Sequence, residues 1–385
     1  MRPCLKPALR RAWRDRTTLQ FGVGPAHTAV LESATPADAA FLDLLDGTRE
    51  LPALTAAAAG LGVDAARVRR LLDQLRASEV LDDTEAQRPL LDLPPPERAR
   101  LVPDLAALSL ARPAPGAAAA LILARRRARV EVRGAGRVGA AVARVLAAAG
   151  VGRVRVVDGG RVREQDCSPC GLPPEDIGRP RAAAARAAVR RCAPGRPDDT
   201  AAAQRAPDLV VLAPRGDAAG LLPDPEPGRE LLRAGTPHLY AGVVETLGGV
   251  GPFVLPGLSP CSHCLSLRRA DEDPAWPVLL AQHCSGRSSA VPACDTALAT
   301  TVAGLAALHG LIYLDGGSPP SLGAWVEVSM VDGSMRRRRL DPHPDCGCCW
   351  SAGPTGPGAR APGGTGPGAT SLGITGMWGD NDGSA

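Results

Sequence analysis

The sequence predicts an α/β protein whose main domain is a mainly parallel sheet with helices on both faces, preceded by a small helical unit. Three observations predict this fold class. From residue 128 onward, short apolar runs alternate between the strand period and the helix period, which is typical of parallel sheets. A glycine-rich turn follows the first of these strands. Before residue 83, apolar residues recur at helical spacing behind capping residues.

Composition bounds the class of protein. The 385 residues, 45% of them hydrophobic, are enough for about two or three ordinary domains. A net charge of +4 with dispersed arginines and only five Phe and Tyr residues argues against a nucleic-acid partner. The apolar segment 297–314 is interrupted by polar residues and glycines, which predicts a core helix and no membrane span. Eleven cysteines without a secretory pattern predict a cytoplasmic protein that uses cysteine for metal or redox chemistry.

The first predicted unit, residues 1–83, contains two helical patterns. Thr35 precedes Pro36 as an N-cap residue, and an apolar helical face follows. Asp64 can cap a second helix, whose apolar positions recur at helical spacing before Val80. This order resembles a PqqD-like winged helix-turn-helix, and the resemblance implies recognition of a leader peptide. A helical unit that only packs against the rest of the chain is the alternative.

Two segments differ from the others in composition. Residues 84–127 are rich in Pro, Ala and Arg, and we interpret them as a linker with one helix. Residues 351–385 consist mainly of Gly, Pro, Ser and Thr, which predicts a disordered tail. The main domain is therefore 128–350. Its predicted strands are 130–133, 154–157, 209–213 and 238–244, and its predicted helices include 138–149 and 179–192.

The glycine-rich turn predicts a nucleotide site. Gly134 permits a tight turn, Gly136 lets the backbone approach a phosphate, and Gly139 allows the following helix to pack on the strand. Asp158 ends the next strand, where a carboxylate can accept hydrogen bonds from ribose hydroxyls. Arg137, at the start of the helix, is a further candidate for nucleotide binding.

Longer stretches indicate which kind of nucleotide site this is. The runs GVGRVRVVD at 150–158 and DIGRPRA at 176–182 are followed, between residues 235 and 257, by GTP, AGVVE, GVGP and PG. This succession resembles the ThiF and MoeB family of adenylyltransferases, which are similar to ubiquitin-activating enzymes. The resemblance covers about 128–350 and implies a ThiF-type Rossmann-like fold, ATP with magnesium as a candidate ligand, and a homodimer. It places Arg181 where the family has a lysine, and Arg181 is thereby a candidate for both nucleotide binding and catalysis.

Two cysteine groups predict a metal site. Cys261 and Cys264 form the first group, and Cys346, Cys348 and Cys349 form the second. Zinc binds four thiolates in a tetrahedron, and two close pairs can supply them. The second pair is Cys346 with either Cys348 or Cys349. ThiF-like proteins hold a structural zinc between such pairs, so the resemblance implies one here; reduced cysteines without a metal are the alternative.

Several positions depart from the adenylation pattern. In the family, an Asn, Arg and Gln motif follows the ribose acid, but the corresponding places here read Asp166, Pro169 and Cys170. The aspartate expected after the fourth strand is missing or displaced to Asp217, and Gly160 stands where a second acid often follows the first. Because oriented charge is the main catalytic resource of such a site, these changes predict impaired adenylation.

Two functions follow from these features. In the first, the chain is a leader-peptide-binding partner in ribosomal peptide modification, similar to the partner subunits of azoline-forming cyclodehydratases, where another subunit uses ATP. In the second, it is an active adenylyltransferase that activates the C-terminal carboxylate of a ubiquitin-like or sulfur-carrier protein. A dinucleotide-dependent oxidoreductase is a third reading, which the cysteine pairs argue against.

Overall fold

The computed structural model describes residues 1–24, 28–194, 205–215, 225–284 and 293–348. The predicted tail 351–385 lies outside these residues, as do Asp217 and Cys349.

The N-terminal unit contains helices and two small antiparallel sheets around its own apolar core. Its helices are α1 (Pro36–Asp43), α2 (Leu51–Ala59) and α3 (Ala65–Ala77). One sheet pairs β1 (Pro3–Leu5) with β5 (Leu81–Asp83), and the other has the order β2 (Arg11–Trp13), β3 (Leu19–Phe21), β4 (Ala29–Leu31). Thr35 caps α1 in a reciprocal capping box with Asp38, and Asp64 caps α3. Both predicted N-caps are therefore present.

The segment 84–127 forms three helices and not the single helix expected of a linker. They are α4 (Pro95–Arg100), α5 (Val102–Ala111) and α6 (Ala117–Arg127), which pack around a small cluster that includes Leu101 and Ile122. The expectation of one helix was wrong because proline fits the first turn of a helix, where its missing N–H is not needed, and alanine favours the helical interior.

The main sheet has seven strands in the order β12-β11-β10-β9-β8-β6-β7. They are β6 (Arg129–Arg133), β7 (Arg153–Val157), β8 (Leu209–Leu212), β9 (His238–Val244), β10 (Leu247–Val254), β11 (Ala324–Ser329) and β12 (Met335–Arg339). Strands β7, β6, β8 and β9 are parallel, and the antiparallel hairpins that follow make β10 and β12 the two strands that run the opposite way. The predicted mainly parallel sheet is confirmed.

Helices cover both faces of this sheet, as predicted. On one face lie α7 (Arg137–Ala148), α8 (Arg181–Cys192) and α12 (Thr296–Leu314), which share the main apolar core with the strands. On the other face, α9 (Pro225–Arg233) and α10 (Ser262–Glu272) pack through Leu231 and Leu265 against Tyr240 and Trp325. Helix α11 (Trp276–Cys284) follows α10.

One helix among the described residues, α12, is long and apolar enough to cross a membrane by length and composition alone. Half of that segment is buried, and Leu298, Val302 and Ala306 belong to the main core. It therefore packs in the way expected of a core helix.

Two buried cations connect the helices of 84–127 to their neighbours. Lys6, the only lysine of the chain, is 2% exposed and donates from Nζ to the carbonyl oxygen of Pro113 at 3.1 Å. Burial lowers the pKa of Lys6. Arg125 at the end of α6 forms a bidentate pair with Asp315 at the end of α12, with N···O distances of 2.8 and 2.5 Å. Both partners of this pair are buried.

Candidate functional site

The glycine-rich loop connects β6 to α7 at the carboxyl edge of the parallel strands. Gly134 has φ +110°, and a Cβ there would lie 2.0 Å from the carbonyl oxygen of Ala213. A Cβ on Gly139 would lie 2.2 Å from the carbonyl oxygen of Gly134. The chain's own packing thus requires these two glycines. At Gly136 the nearest atom would be 3.7 Å away, so packing does not require glycine there.

Asp158 fastens this loop to the end of β7. One carboxylate oxygen accepts the N–H of Ala135 at 2.8 Å, and the other accepts the N–H of Gly160 at 2.7 Å and Arg181 Nε at 2.9 Å. Burial opposes ionisation, but the hydrogen bonds from Arg181 and the two N–H groups outweigh it and hold the pKa of Asp158 below its ordinary value. Asp158 is therefore a carboxylate at neutral pH, and both its oxygens already accept hydrogen bonds from the protein.

Asp166 and Arg215 extend this pair into a network of four charges. Arg215 Nε lies 2.5 Å from one oxygen of Asp166, and Arg181 Nη1 lies 3.5 Å from the other. The backbone N–H of Arg163 also donates to Asp166, at 2.9 Å. The stem of Arg215 lies over Gly136. Two acids and two arginines thus neutralise one another beside the loop.

This network was not foreseen from the sequence. The sequence pattern identifies Asp166 only as the loss of an amide donor, and it does not identify Arg215 as a site residue. The two residues are 49 positions apart, and no spacing rule connects them.

Gly160 provides the space for Arg181. A Cβ at position 160 would lie 2.3 Å from Arg181 Nη2. The guanidinium therefore occupies the volume into which a side chain at 160 would extend. The two departures from the family pattern, an arginine in place of the lysine and a glycine in place of the second acid, are sterically linked.

The described residues do not fit magnesium. Mg²⁺ in nucleotide sites is bound through one or two carboxylates with free oxygen lone pairs. The two acids that the described residues place beside the loop, Asp158 and Asp166, are each bonded to an arginine and to backbone N–H groups. Pro169 and Cys170 add no carboxylate. We assign no magnesium-dependent step to these residues.

Arg137 bridges two segments around the loop. Its Nε donates to the carbonyl oxygen of Gln165 at 2.9 Å, and its Nη1 donates to the carbonyl oxygen of Cys294 at 2.7 Å and to Thr296 Oγ1 at 3.1 Å. Arg137 thus connects the turn at Gln165 to the residues at the start of α12 through two backbone carbonyl oxygens and one hydroxyl.

The fold brings four cysteines together beneath α10. Cys261 and Cys264 at the start of this helix are buried, and their sulfur atoms lie 3.5 Å from that of Cys346 and 3.4 Å from that of Cys348, respectively. All four sulfur atoms lie within 4.8 Å of one another and could hold a metal ion. Of the two alternatives for the fourth position, Cys348 joins this cluster, whereas Cys349 lies outside the described residues.

Hydrogen bonds within the cluster favour the thiolate form of Cys264. Those from Cys261, from Cys348 and from the backbone N–H of His343 lower the pKa of Cys264. His343 itself accepts the N–H of Asp345 at Nδ1, so its Nε2–H donates to Asp271 at 2.9 Å. His343 therefore supports the cluster without acting as a ligand.

The N-terminal unit has two open sheet edges. Strands β2 and β4 each pair only with β3 among the described residues, and Trp13 on β2 and Val30 on β4 are exposed. Arg67 at the start of α3 donates to the carbonyl oxygen of Ser33 at 3.1 Å, which holds α3 near the end of β4. The outer face of α3 carries three exposed arginines: Arg69, Arg70 and Arg76.

Comparisons with known proteins agree with this architecture. The profile of the ThiF family matches residues 117–348. No curated protein matches the sequence. Among solved structures, the chain is similar to Escherichia coli MccB with succinimide, at 15% identity and a TM-score of 0.65, over 91% of this chain and 100% of that chain. MccB with ATP gives 15% identity and a TM-score of 0.64 over the same shares.

A second kind of solved structure is also similar. A heterocyclase in complex with substrate and cofactor matches at 15% identity and a TM-score of 0.58, over 90% of this chain but only 39% of that chain. At these identities the similarities establish a shared fold.

Proposed function

This chain belongs to the ThiF family, and from that premise we propose that it serves as a leader-peptide-binding partner in the modification of ribosomal peptides, with adenylation impaired. The observation that carries the proposal is the charge network beside the glycine loop. ATP-dependent activation of a carboxylate needs charged groups that are free to meet the triphosphate. Here Arg181 is bonded to both Asp158 and Asp166.

The network reduces what a nucleotide would gain on binding. Charge-assisted hydrogen bonds are about twice as strong as neutral ones, so Arg181 leaves Asp158 only at a cost. Any ribose hydroxyl has to share the carboxylate of Asp158 with Ala135, Gly160 and Arg181. A nucleotide can still bind at the loop in this arrangement. Efficient adenylation is not expected, because the charged groups that it needs are already bonded to one another.

The N-terminal unit supplies a surface for an extended peptide. A peptide can add as a strand to an open sheet edge, where backbone hydrogen bonds give affinity and neighbouring side chains give specificity. Strand β4 is such an edge, and α3 begins beside its end. The exposed arginines of α3 would favour acidic residues in that peptide.

A separate protein would complete the modifying enzyme. This chain covers 39% of the length of the similar heterocyclase chain, and the comparison leaves the remainder of that chain unmatched. We propose that a cyclodehydratase partner subunit supplies it, and that the ThiF-family chain presents the peptide. As in the family, the chain would act as a homodimer in the cytoplasm.

Zinc is the metal we propose for the cysteine cluster. Zn–S bonds of about 2.3 Å in a tetrahedron separate the sulfur atoms by about 3.8 Å, within the range that the four sulfur atoms span. A site closed by four thiolates leaves no open position for substrate, so its role is structural. It would fasten the segment around Cys346 and Cys348 to α10.

An active adenylyltransferase is the second candidate. It is favoured by the correspondence with the whole MccB chain, whose solved complexes include ATP and the peptide MccA. The retained glycine loop and Asp158 also agree with it. In that case the substrate would be the C-terminal carboxylate of a carrier protein or peptide.

Two measurements on the full-length protein separate the candidates. We expect calorimetric titration with a synthetic leader-type peptide that carries acidic residues to show binding that weakens in Arg69→Glu/Arg70→Glu, while Arg127→Glu binds as the wild type does. We expect no magnesium-dependent exchange of pyrophosphate into ATP. Absence of peptide binding would sink the first candidate. Exchange that disappears in Asp158→Ala would establish the second.

A further inference from the structure

The outer edge strand of the main sheet carries four consecutive arginines. β12 pairs only with β11 among the described residues, so its other side is an open edge. All five residues of β12 are exposed. The arginines are Arg336, Arg337, Arg338 and Arg339. Because strand side chains alternate, they project from both faces of the sheet.

Much of this charge has no acidic partner. Arg338 and Arg339 each bind a carboxylate, at 2.6 and 3.0 Å. Arg336 and Arg337 have no carboxylate partner within the part of the chain that the structure describes. Within the described residues, Arg268 donates to the backbone carbonyl oxygens of Asp341 and Pro342, just after β12. The edge therefore keeps an excess of positive charge.

The backbone of β12 is available at alternate residues. At its two ends, Ser329 N–H donates to the carbonyl oxygen of Ser334, and Leu340 N–H donates to that of Gly323, both at 2.9 Å. Because bonding alternates along an antiparallel strand, even-numbered residues of β12 bond to β11. The odd-numbered residues direct their N–H and C=O groups to the open edge: Met335, Arg337 and Arg339.

We propose that this edge binds an extended segment of another protein that carries consecutive acidic residues, added as an eighth strand beside β12. A strand that pairs with β12 presents successive side chains to opposite faces. To meet arginines on both faces, it needs acidic residues at successive positions. Backbone hydrogen bonds to the odd-numbered residues of β12 would fix the direction of the added strand. The arginine charges would select a strand with an acidic sequence.

Two other occupants fit this edge less well. A second copy of the chain would place the four arginines against four more, and like charges directly opposite are destabilising. Single-stranded nucleic acid is bound by positive grooves together with exposed aromatic rings. β12 has no aromatic residue, and Trp325, the only one on β11, is 4% exposed.

Charged side chains on an edge strand also prevent unwanted pairing with other sheets. That role alone would explain a single arginine on β12. The decisive test must therefore detect strand addition itself. A fluorescent peptide with a central run of glutamates is titrated into the full-length protein, beside a peptide with glutamine at the same positions. We expect at least tenfold tighter binding of the glutamate peptide, and slower amide hydrogen exchange at residues 335–339 in its presence.

A matched pair of variants separates backbone pairing from charge alone. Arg337→Pro and Arg337→Gln both remove the same charge and the same side-chain bond to Pro320. Only proline removes the N–H at the open edge, a position where edge strands accept it. We expect Arg337→Pro to bind at least tenfold more weakly than Arg337→Gln. Circular dichroism establishes that both variants are folded.

Four results would overturn the proposal. They are equal binding of the two peptides, no binding of either, equal affinities of the two variants for the glutamate peptide, or tighter binding of an oligothymidine than of the glutamate peptide. Hydrogen exchange on the wild type decides the matter if Arg337→Pro fails to fold. These experiments concern β12 and not the N-terminal unit. A failure here therefore does not bear on the leader-peptide binding proposed above, and the reverse also holds.

Discussion

At Arg181, an arginine in place of the family's lysine keeps the charge but contacts two acids beside the nucleotide-type loop. A lysine has a single ammonium on a flexible stem, whereas the planar guanidinium of arginine can meet two carboxylates at once. Arg181 uses this geometry to bind Asp158 at 2.9 Å while lying 3.5 Å from Asp166. A Cβ at position 160 would meet this guanidinium, so any larger residue there requires the Arg181 side chain to shift.

The steric link between Gly160 and Arg181 can be measured. We expect Gly160→Ala to lower the free energy of unfolding by about 1 to 2 kcal/mol, because its Cβ meets the guanidinium. In an Arg181→Lys background the same change should cost about 1 kcal/mol less. Urea unfolding of the wild type, the two single variants and the double variant gives the coupling energy between positions 160 and 181. Gly159→Ala is the control, because a Cβ there has nothing within 4 Å. Additive effects would contradict the link.

Two buried histidines predict a dependence of stability on pH. Burial lowers the pKa of His238 and of His309 from 6.5 to about 4. Between these values the unfolded chain binds protons that the folded chain does not, so stability falls as the pH decreases from 6.5 toward 4. We expect urea unfolding at a series of pH values to show this loss, with a smaller slope in His309→Gln. An unchanged slope would show that His309 does not contribute.

The individual site residues differ in how far the sequence could identify them. Short spacing made the cysteines at 261 and 264 and at 346 to 349 recognisable, because metal ligands are supplied in close pairs. Asp158 followed from its place after a strand. Arg215 and Asp166 could not be paired, because only the folded chain brings the end of β8 against the turn at 164–166.

Helix α7 and strand β6 are held at a distance that only glycine allows. We expect Gly139→Ala to lower the free energy of unfolding by about 2 kcal/mol or more, because its Cβ meets rigid backbone. Gly136→Ala should cost about 1 kcal/mol or less, because its Cβ has room. Thermal and urea unfolding compare the two variants. Equal losses would mean that α7 can move away from β6.

The bidentate pair between α6 and α12 should contribute strongly to the attachment of these helices. Removing one partner leaves the other charge buried, so we expect Arg125→Ala to cost about 3 to 5 kcal/mol. Arg127→Ala on the same helix is the control and should change stability by about 0.5 kcal/mol or less, because Arg127 is exposed. If both variants have the same free energy of unfolding, another group must compensate the buried charge of Asp315.

Among the elements, sequence periodicity predicted β6, β7, β8 and β9 but not β10, β11 or β12. β10 contains three glycines and a proline, which argue against a strand. In the structure, a Cβ on Gly248 would lie 2.4 Å from Val302 of α12, so packing against that helix explains one of these glycines. β12 has no alternation because all of its residues are exposed.

At the scale of the whole molecule, the cysteine cluster joins segments about eighty residues apart. We expect elemental analysis of the purified protein to find about one zinc per chain, as a closed four-thiolate site predicts. Removing it with a chelator should lower the melting temperature, because metal binding is coupled to folding. Cys264→Ser should lose the metal, whereas Cys170→Ser, which alters an exposed cysteine outside the cluster, should retain it. Equal metal content would contradict the assignment.

The burial of Lys6 has a further consequence for the reactivity of the protein. Acyl phosphates and acyl adenylates transfer their acyl group readily to primary amines, and the only lysine amine of this chain is 2% exposed and held by Pro113. The folded protein can therefore work beside such intermediates without becoming acylated on lysine. Conversely, acetylation of Lys6 by a water-soluble reagent should proceed only when the N-terminal unit separates from the loop at Pro113, which makes this residue a chemical probe for that local opening.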